Sequence, residues 1–160
     1  MKHGHVLIAL VLLAARAGAQ PATGVRRTTT EIRIDGFAAR TTGAQAGVGI
    51  ALDAGTYTRL ALVAAAGFER RPGGALVGVQ RLEGVGRFHL DPYRQTRHGV
   101  YAGGGLALRH APGGPVRALV VALLGVEGPP RHGMAAAVEA GVGGGARVGV
   151  ALRSARGQRR

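Results

Sequence analysis

The sequence predicts an all-β protein, an eight-stranded antiparallel barrel wound up and down. Three observations predict it. Beyond residue 20, no stretch keeps a helical apolar period over three turns. Apolar and polar side chains instead alternate, residue by residue, in run after run. The breaks between runs are clusters of Gly, Pro and Asp with turn chemistry. Consecutive runs joined by hairpin-length breaks make the up-and-down order the economical topology.

Taken in order, residues 1–19 read as a signal peptide. Lys2, His3 and His5 give a short basic start, Val6 to Ala15 is an apolar run, and Ala17-Gly18-Ala19 has the small-x-small pattern of a cleavage site, with the cut before Gln20. The apolar run is shorter than the roughly 20 residues that a spanning helix needs. Residues 20–27 form an N-terminal extension, 28–154 the barrel and 155–160 a basic tail. Strands are expected at about 29–39, 44–53, 57–69, 76–90, 99–109, 116–127, 134–142 and 146–154. The breaks read RTTG, DAGT, RRPGG, DPYRQTR, HAPGGP, EGPPRHG and GGGA. Pro72 followed directly by Gly73 makes the third the plainest hairpin loop.

The chain has no cysteine, so neither a disulfide nor a thiolate site can form. Beyond the leader every strongly basic side chain is arginine, and the formal charge of +13 falls by two once Lys2 and Arg16 are removed. Such a balance invites a nucleic-acid reading. Outside the tail, however, the arginines stand at strand-like intervals among Glu and Asp, and no row of aromatics offers a stacking platform for bases. No nucleic-acid partner is expected.

The two faces of the strands differ sharply. One face is apolar throughout and includes Leu60, Leu62, Leu106, Leu108, Val120, Ala122, Leu124, Val138, Val148 and Val150. The other carries both signs of charge: Glu31, Arg33, Asp35, Asp53, Glu69, Arg147 and Arg153, with Arg59, Arg81, Glu83, Arg87, Arg109, Arg117, Glu127 and Glu139 as the candidates for ion pairs. A soluble half-buried sheet also alternates, with its apolar face inward. Here the charged face interleaves its charges with Gly47, Gly49, Gly103, Gly105, Gly141 and Gly149. A solvated outer face has no need of small residues, whereas the narrow interior of an eight-stranded barrel does. The charges are therefore expected in the lumen and the apolar face against lipid, giving a transmembrane barrel. In GVYAGGGLALRH, residues 99–110, Gly103 and Gly105 are expected to face inward and leave space for long side chains such as Arg59, Arg87 or Arg117. Gly104 is expected outside, easing the curvature of a small barrel. Tyr57, Phe88, Tyr93 and Tyr101 fall at one end of the barrel, Phe37 and Phe68 near the other. That is a thin aromatic girdle, and parity puts Phe37, Tyr57 and Tyr101 on the inward face.

Over roughly residues 27–154 the chain resembles the small eight-stranded bacterial outer-membrane β-barrel superfamily. RFHLDPYRQTRHGVYAGGGLALRH at 87–110 resembles its recurrent hairpin, and LLGVEG at 123–128 with VEAGVGGGARVGVALR at 138–153 is similar to its closing strands. The resemblance implies a transmembrane barrel in the cell outer membrane, with its termini in the periplasm, inserted by the outer-membrane assembly machinery; outer-membrane lipid is the other expected partner, and a monomer is expected. Two features depart from the pattern. The chain ends SARGQRR rather than on an aromatic residue, and all seven connections are short.

No catalytic centre is evident. Ser154, the only serine, sits at the end of the last strand, which is a poor place for a nucleophile. His89 and Asp91 share a face and allow an Asp–His pair, but a lone His near a strand end is more often a hydrogen-bonded interface residue. His98, His110 and His132 lie in separate turns without ligand spacing, so no metal or other cofactor is expected. GGGAR at 143–147 precedes no helix, which removes the phosphate-cradle reading of that motif. The expected function is a non-enzymatic membrane barrel with a structural or lipid-interacting role. The alternative is a soluble periplasmic β-barrel that binds a small ligand.

Overall fold

A computed structural model of the protein describes residues 28–91 and 97–154. The leader at 1–19, the extension at 20–27, the tail at 155–160 and Tyr93 lie outside the described residues. Eight strands close into one barrel in the order β1 to β8. They are β1 (Thr28–Ala38), β2 (Thr42–Asp53), β3 (Thr58–Arg70), β4 (Leu76–His89), β5 (Gly99–His110), β6 (Arg117–Glu127), β7 (Met134–Val142) and β8 (Ala146–Ser154). Every neighbouring pair is antiparallel, and β1 closes on β8 through the register Glu31–Arg153 to Ala38–Ala146. Closure removes both sheet edges, and only staggered strand ends such as Arg117–Val121 on the β7 side of β6 run past their neighbours.

The register follows from pattern and turn together. A slip by one residue would turn every charged side chain outward, so the alternation excludes odd shifts, while a shift by two keeps every face and is left to the turns to exclude. The turns hold the hairpins in that register. Between β3 and β4, Gly73 and Gly74 take φ of 96° and 88°, a region that L side chains rarely adopt. Gly74 N–H donates to Arg71 O at 2.9 Å, and Arg71 N–H to Ala75 O at 2.9 Å.

Thr28 at the start of β1, Ser154 at the end of β8 and the β2–β3, β4–β5 and β6–β7 connections share one end of the barrel, the proximal end. The distal end carries the β1–β2, β3–β4, β5–β6 and β7–β8 connections, spanning only residues 39–41, 71–75, 111–116 and 143–145. Between the two ends the outward wall is apolar or glycine. Polar outward side chains lie toward the strand ends: Thr28, Thr30, Thr58 and Ser154 proximally, Thr42, Arg70, Gln80 and His110 distally. On β5 the apolar run from Val100 to Leu108 rises roughly 20 Å along the axis, at about 3.4 Å per residue and a tilt of about 40°.

Tyr57 and the inward glycines of β5 depart from the sequence expectation. Tyr57 is not inward: β3 begins at Thr58, so Tyr57 sits in the preceding turn, free of strand parity, and its exposed ring stacks on the outward Phe88 at 5.6 Å between centroids. At Gly103, which pairs with Arg87, and at Gly105 the atoms nearest an added Cβ are not those of arginines either. A Cβ on Gly103 would press on Leu123 and on Gly86 O at 3.0 Å, and one on Gly105 would collide with the backbone of Gly84 and Val85. These glycines let β4 and β5 curve closely together and admit an apolar side chain from β6.

Candidate functional site: the charged lumen and its distal mouth

The interior divides into two sectors. On the β4–β5–β6 side lies an apolar cluster of Val85, Tyr101, Ala107, Val121 and Leu123, with Leu119 packed against it. The rest of the lumen is ionic. Five arginines (Arg33, Arg81, Arg87, Arg147, Arg153) and five carboxylates (Glu31, Asp35, Glu83, Glu127, Glu139) are buried there. The signs balance, so the interior is neutral as a unit and the excess positive charge of the chain lies elsewhere.

At the centre of the ionic sector stand Glu31 on β1 and Glu139 on β7. Arg87 forks onto Glu31, with Nη1 donating to Oε2 at 2.8 Å and Nη2 to Oε1 at 3.0 Å. Arg153 Nε donates to Glu31 Oε2 at 3.0 Å. Its Nη2 donates to Glu139 Oε1 at 2.5 Å and to Tyr101 Oη at 2.9 Å, and its Nη1 to Glu127 Oε2 at 2.9 Å. Tyr101 in turn donates its hydroxyl to Glu139 Oε1 at 2.7 Å. Arg33 spans to the next layer, with Nη2 donating to Glu139 Oε2 at 2.6 Å and Nε to Asp35 Oδ2 at 2.7 Å. Above it, Arg147 grips both oxygens of Glu83 at 2.8 and 2.9 Å and reaches Asp35 Oδ1 at 3.2 Å. Such bidentate, charge-assisted bonds are the strong kind, and together they link six of the eight strands.

Glycine provides the volume. The register sets a glycine beside many of the large inward polar side chains: Gly47 beside Arg33, Gly49 beside Glu31, Gly125 beside Tyr101 and Glu139, Gly149 beside Asp35 and Glu139. A Cβ on Gly125 would overlap the Tyr101 ring, and one on Gly49 would sit 3.1 Å from Glu31 Cγ.

Of the ion-pair candidates chosen from sequence, Arg81, Glu83, Arg87, Glu127 and Glu139 lie in this buried network. Arg59 pairs with Asp53 at 2.9 Å in a half-buried position on the proximal side. Arg109 pairs with Glu69 near the distal mouth, its Nε donating to Glu69 Oε1 at 2.7 Å. Arg117 is different. It begins β6 and stands exposed on the distal mouth, beyond the buried layers, because strand parity fixes direction but not depth. Glu31, Arg33, Asp35, Arg147 and Arg153 were not among those candidates. Their signal was available in the alternation of TEIRID and ARVGVALR, which puts them on the charged face. The lipid-side candidates Leu60, Leu62, Leu106, Leu108, Val120, Ala122, Leu124, Val138, Val148 and Val150 all point outward, with Leu62 partly covered by its neighbours.

Distally the lumen widens into a cavity of about 620 Å³. Its wall includes Arg40, Arg71, Arg81, Arg109 and Arg117, with Glu69 as the sole carboxylate. On the proximal side, His89 packs against Tyr101 with ring centroids 5.1 Å apart. Among the described residues no three His, Cys, Asp or Glu side chains are grouped to hold a metal ion.

No protein-family model matches the chain, and no curated protein matches it. Solved structures do. The Neisserial surface protein A (NspA) superposes with a TM-score of 0.58 at 11% identity, covering 79% of this chain and 94% of that one. The N-terminal β-barrel domain of Pseudomonas aeruginosa OprF gives a TM-score of 0.49 at 16% identity, over 80% of this chain and 98% of that one. The likeness to NspA is one of fold, the closed eight-stranded antiparallel barrel.

Proposed function

We propose that the chain is an outer-membrane β-barrel protein with a structural or lipid-interacting role and no catalysis. One observation carries the reading, the inversion of polarity across the wall. Val120 is 74% exposed and Leu124 66%, while Arg33, Arg153 and Glu139 are each 1% exposed. A monomeric soluble protein rarely shows a contiguous apolar patch beyond a few hundred Å². Here the apolar surface runs around the barrel, and its outward polar side chains are few and lie toward the strand ends. Its height approaches the outward apolar band of roughly 25 Å in transmembrane barrels. Stacked Tyr57 and Phe88 at the proximal rim and exposed Phe68 toward the distal one suit interfacial positions. That a Neisserial surface protein shares the fold agrees with this reading.

The state of the carboxylates speaks against catalysis. Glu31, Asp35, Glu83 and Glu139 are each held by guanidinium groups inside a packed lumen, which leaves none placed to accept a proton from a substrate. The soluble alternative needs an apolar cavity for its ligand, and the space such a cavity would occupy is filled by the ionic network. Cell fractionation tests the reading. The protein should appear in the outer-membrane fraction as a band whose migration on a denaturing gel shifts on heating. A soluble periplasmic pool would overturn it.

A further inference from the structure

We propose that the distal vestibule is a binding site for a multiply charged phosphoryl anion, either a soluble phosphate ester or the phosphorylated headgroup of a lipid. The buried lumen is electrically closed, with five arginines against five carboxylates. The vestibule above it is not. Arg81, already balanced by Glu83, forms its floor, and above it Arg40, Arg71, Arg109 and Arg117 line the wall against Glu69 alone, which is taken by Arg109, so three arginines are left in excess. Its volume of about 620 Å³ lies in the usual range of small-molecule sites, about 300–1,000 Å³.

The floor is built rather than merely charged. Arg81 is 6% exposed, and its guanidinium is fixed from three sides. Nε donates to Glu83 Oε2 at 2.9 Å, Nη1 donates to Gly143 O at 2.7 Å, and the group lies over the Phe37 ring at 5.1 Å. Its Nη2 is buried and has no hydrogen-bond partner among the described residues. Beside it on the same floor, the buried Gln45 has an unpartnered Oε1, and a half-turn of that amide would present N–H donors instead. A buried donor without a partner costs free energy that a ligand acceptor would recover. Guanidinium suits phosphoryl oxygens because its planar fork matches their spacing and its charge does not titrate away. With Arg71 and Arg117 exposed at the mouth and Arg81 at the floor, the cations stand at two depths, which suits a diphosphate or a phosphate ester better than a single small anion.

The site is independent of what covers the outer wall, so the test is made on the folded full barrel in zwitterionic detergent micelles, titrated calorimetrically with pyrophosphate. Saturable binding is expected. The double variant Arg71→Gln/Arg117→Gln, which alters only exposed side chains, should weaken it at least tenfold. Arg81→Gln should abolish it, with folding checked by circular dichroism. The matched pair Arg97→Gln/Arg131→Gln, exposed on the proximal side, should leave it unchanged. Adding a diphosphorylated glycolipid to the micelles separates the sources. Competition with pyrophosphate assigns the site to a headgroup, and undiminished pyrophosphate binding assigns it to a soluble ester. No saturable heat with wild-type protein, an unchanged affinity in the distal double variant, or an equal loss in the proximal pair would each overturn the proposal.

Discussion

Glu139 and Glu69 face the same lumen and are both held by arginine, yet they occupy different physical worlds. Glu139 sits mid-barrel, 1% exposed, with Arg33 and Arg153 on its two oxygens and the Tyr101 hydroxyl donating to one of them. Glu69 sits toward the distal mouth, partly exposed, with Arg109 as its ion-pair partner and Thr41 Oγ1 at 3.5 Å. The difference teaches where the ionic lumen matters for stability. Water at the mouth can replace a lost partner, whereas nothing at the centre can. An unpaired charge there is left in a dry, packed interior.

The largest effect should come from the centre. Glu139→Ala leaves Arg33 and Arg153 short of a counter-charge, and loss of one partner of a buried pair costs about 3–5 kcal/mol. Urea unfolding in detergent should show the midpoint falling accordingly. A shift no larger than that of a rim variant would mean the lumen is solvated and the comparison empty. Next comes the outer wall. Ala122→Arg puts a charge mid-belt on β6, and Arg at the bilayer midplane costs about 2–4 kcal/mol. Folding yield into lipid vesicles should drop, while Val116→Arg, just beyond the start of β6, should lose much less.

A smaller effect isolates the packing from the charge. Gly125→Ala drives a methyl into the Tyr101 ring and should cost about 1–3 kcal/mol as overpacking. The outward Gly84 has nothing within 4 Å of an added Cβ, so Gly84→Ala should be close to neutral in the same denaturation assay. Equal effects would show that these glycines serve the backbone rather than the lumen. The smallest change is expected for Glu69→Ala. A partly exposed ion pair is worth about 0–1 kcal/mol, so its unfolding midpoint should stay near wild type.

Much of this architecture was legible in the sequence, and the reason is the short period of a strand. β7 and β8 match their expected limits of 134–142 and 146–154, and the remaining strand limits agree to within two residues. Direction of side chains was equally legible, since Leu106 and Arg87 follow from parity alone. Depth and register were not. Arg117 has an inward parity but ends on the mouth, and Tyr57 escaped parity because it belongs to a turn. The pairing of Arg153 with Glu31 and Glu139 depends on β8 closing against β1 and β7 together, a relation between distant segments that no local pattern carries. The triple glycine of β5 misled for a similar reason. Its neighbours proved to be the β4 backbone and Leu123, and only the cross-strand register identifies them.

The inversion of polarity is the central claim, and depth-resolved fluorescence quenching tests it most directly. Because the chain has no cysteine, a cysteine replacing Ala122 gives a single labelling site for a fluorophore attached before folding into vesicles. Nitroxides placed at successive depths on the lipid chains should quench it most strongly near the bilayer centre, and should quench a label at Val116 most strongly near the headgroups. Absence of nitroxide quenching at every depth, from protein with a folded barrel spectrum, would contradict a lipid-facing wall.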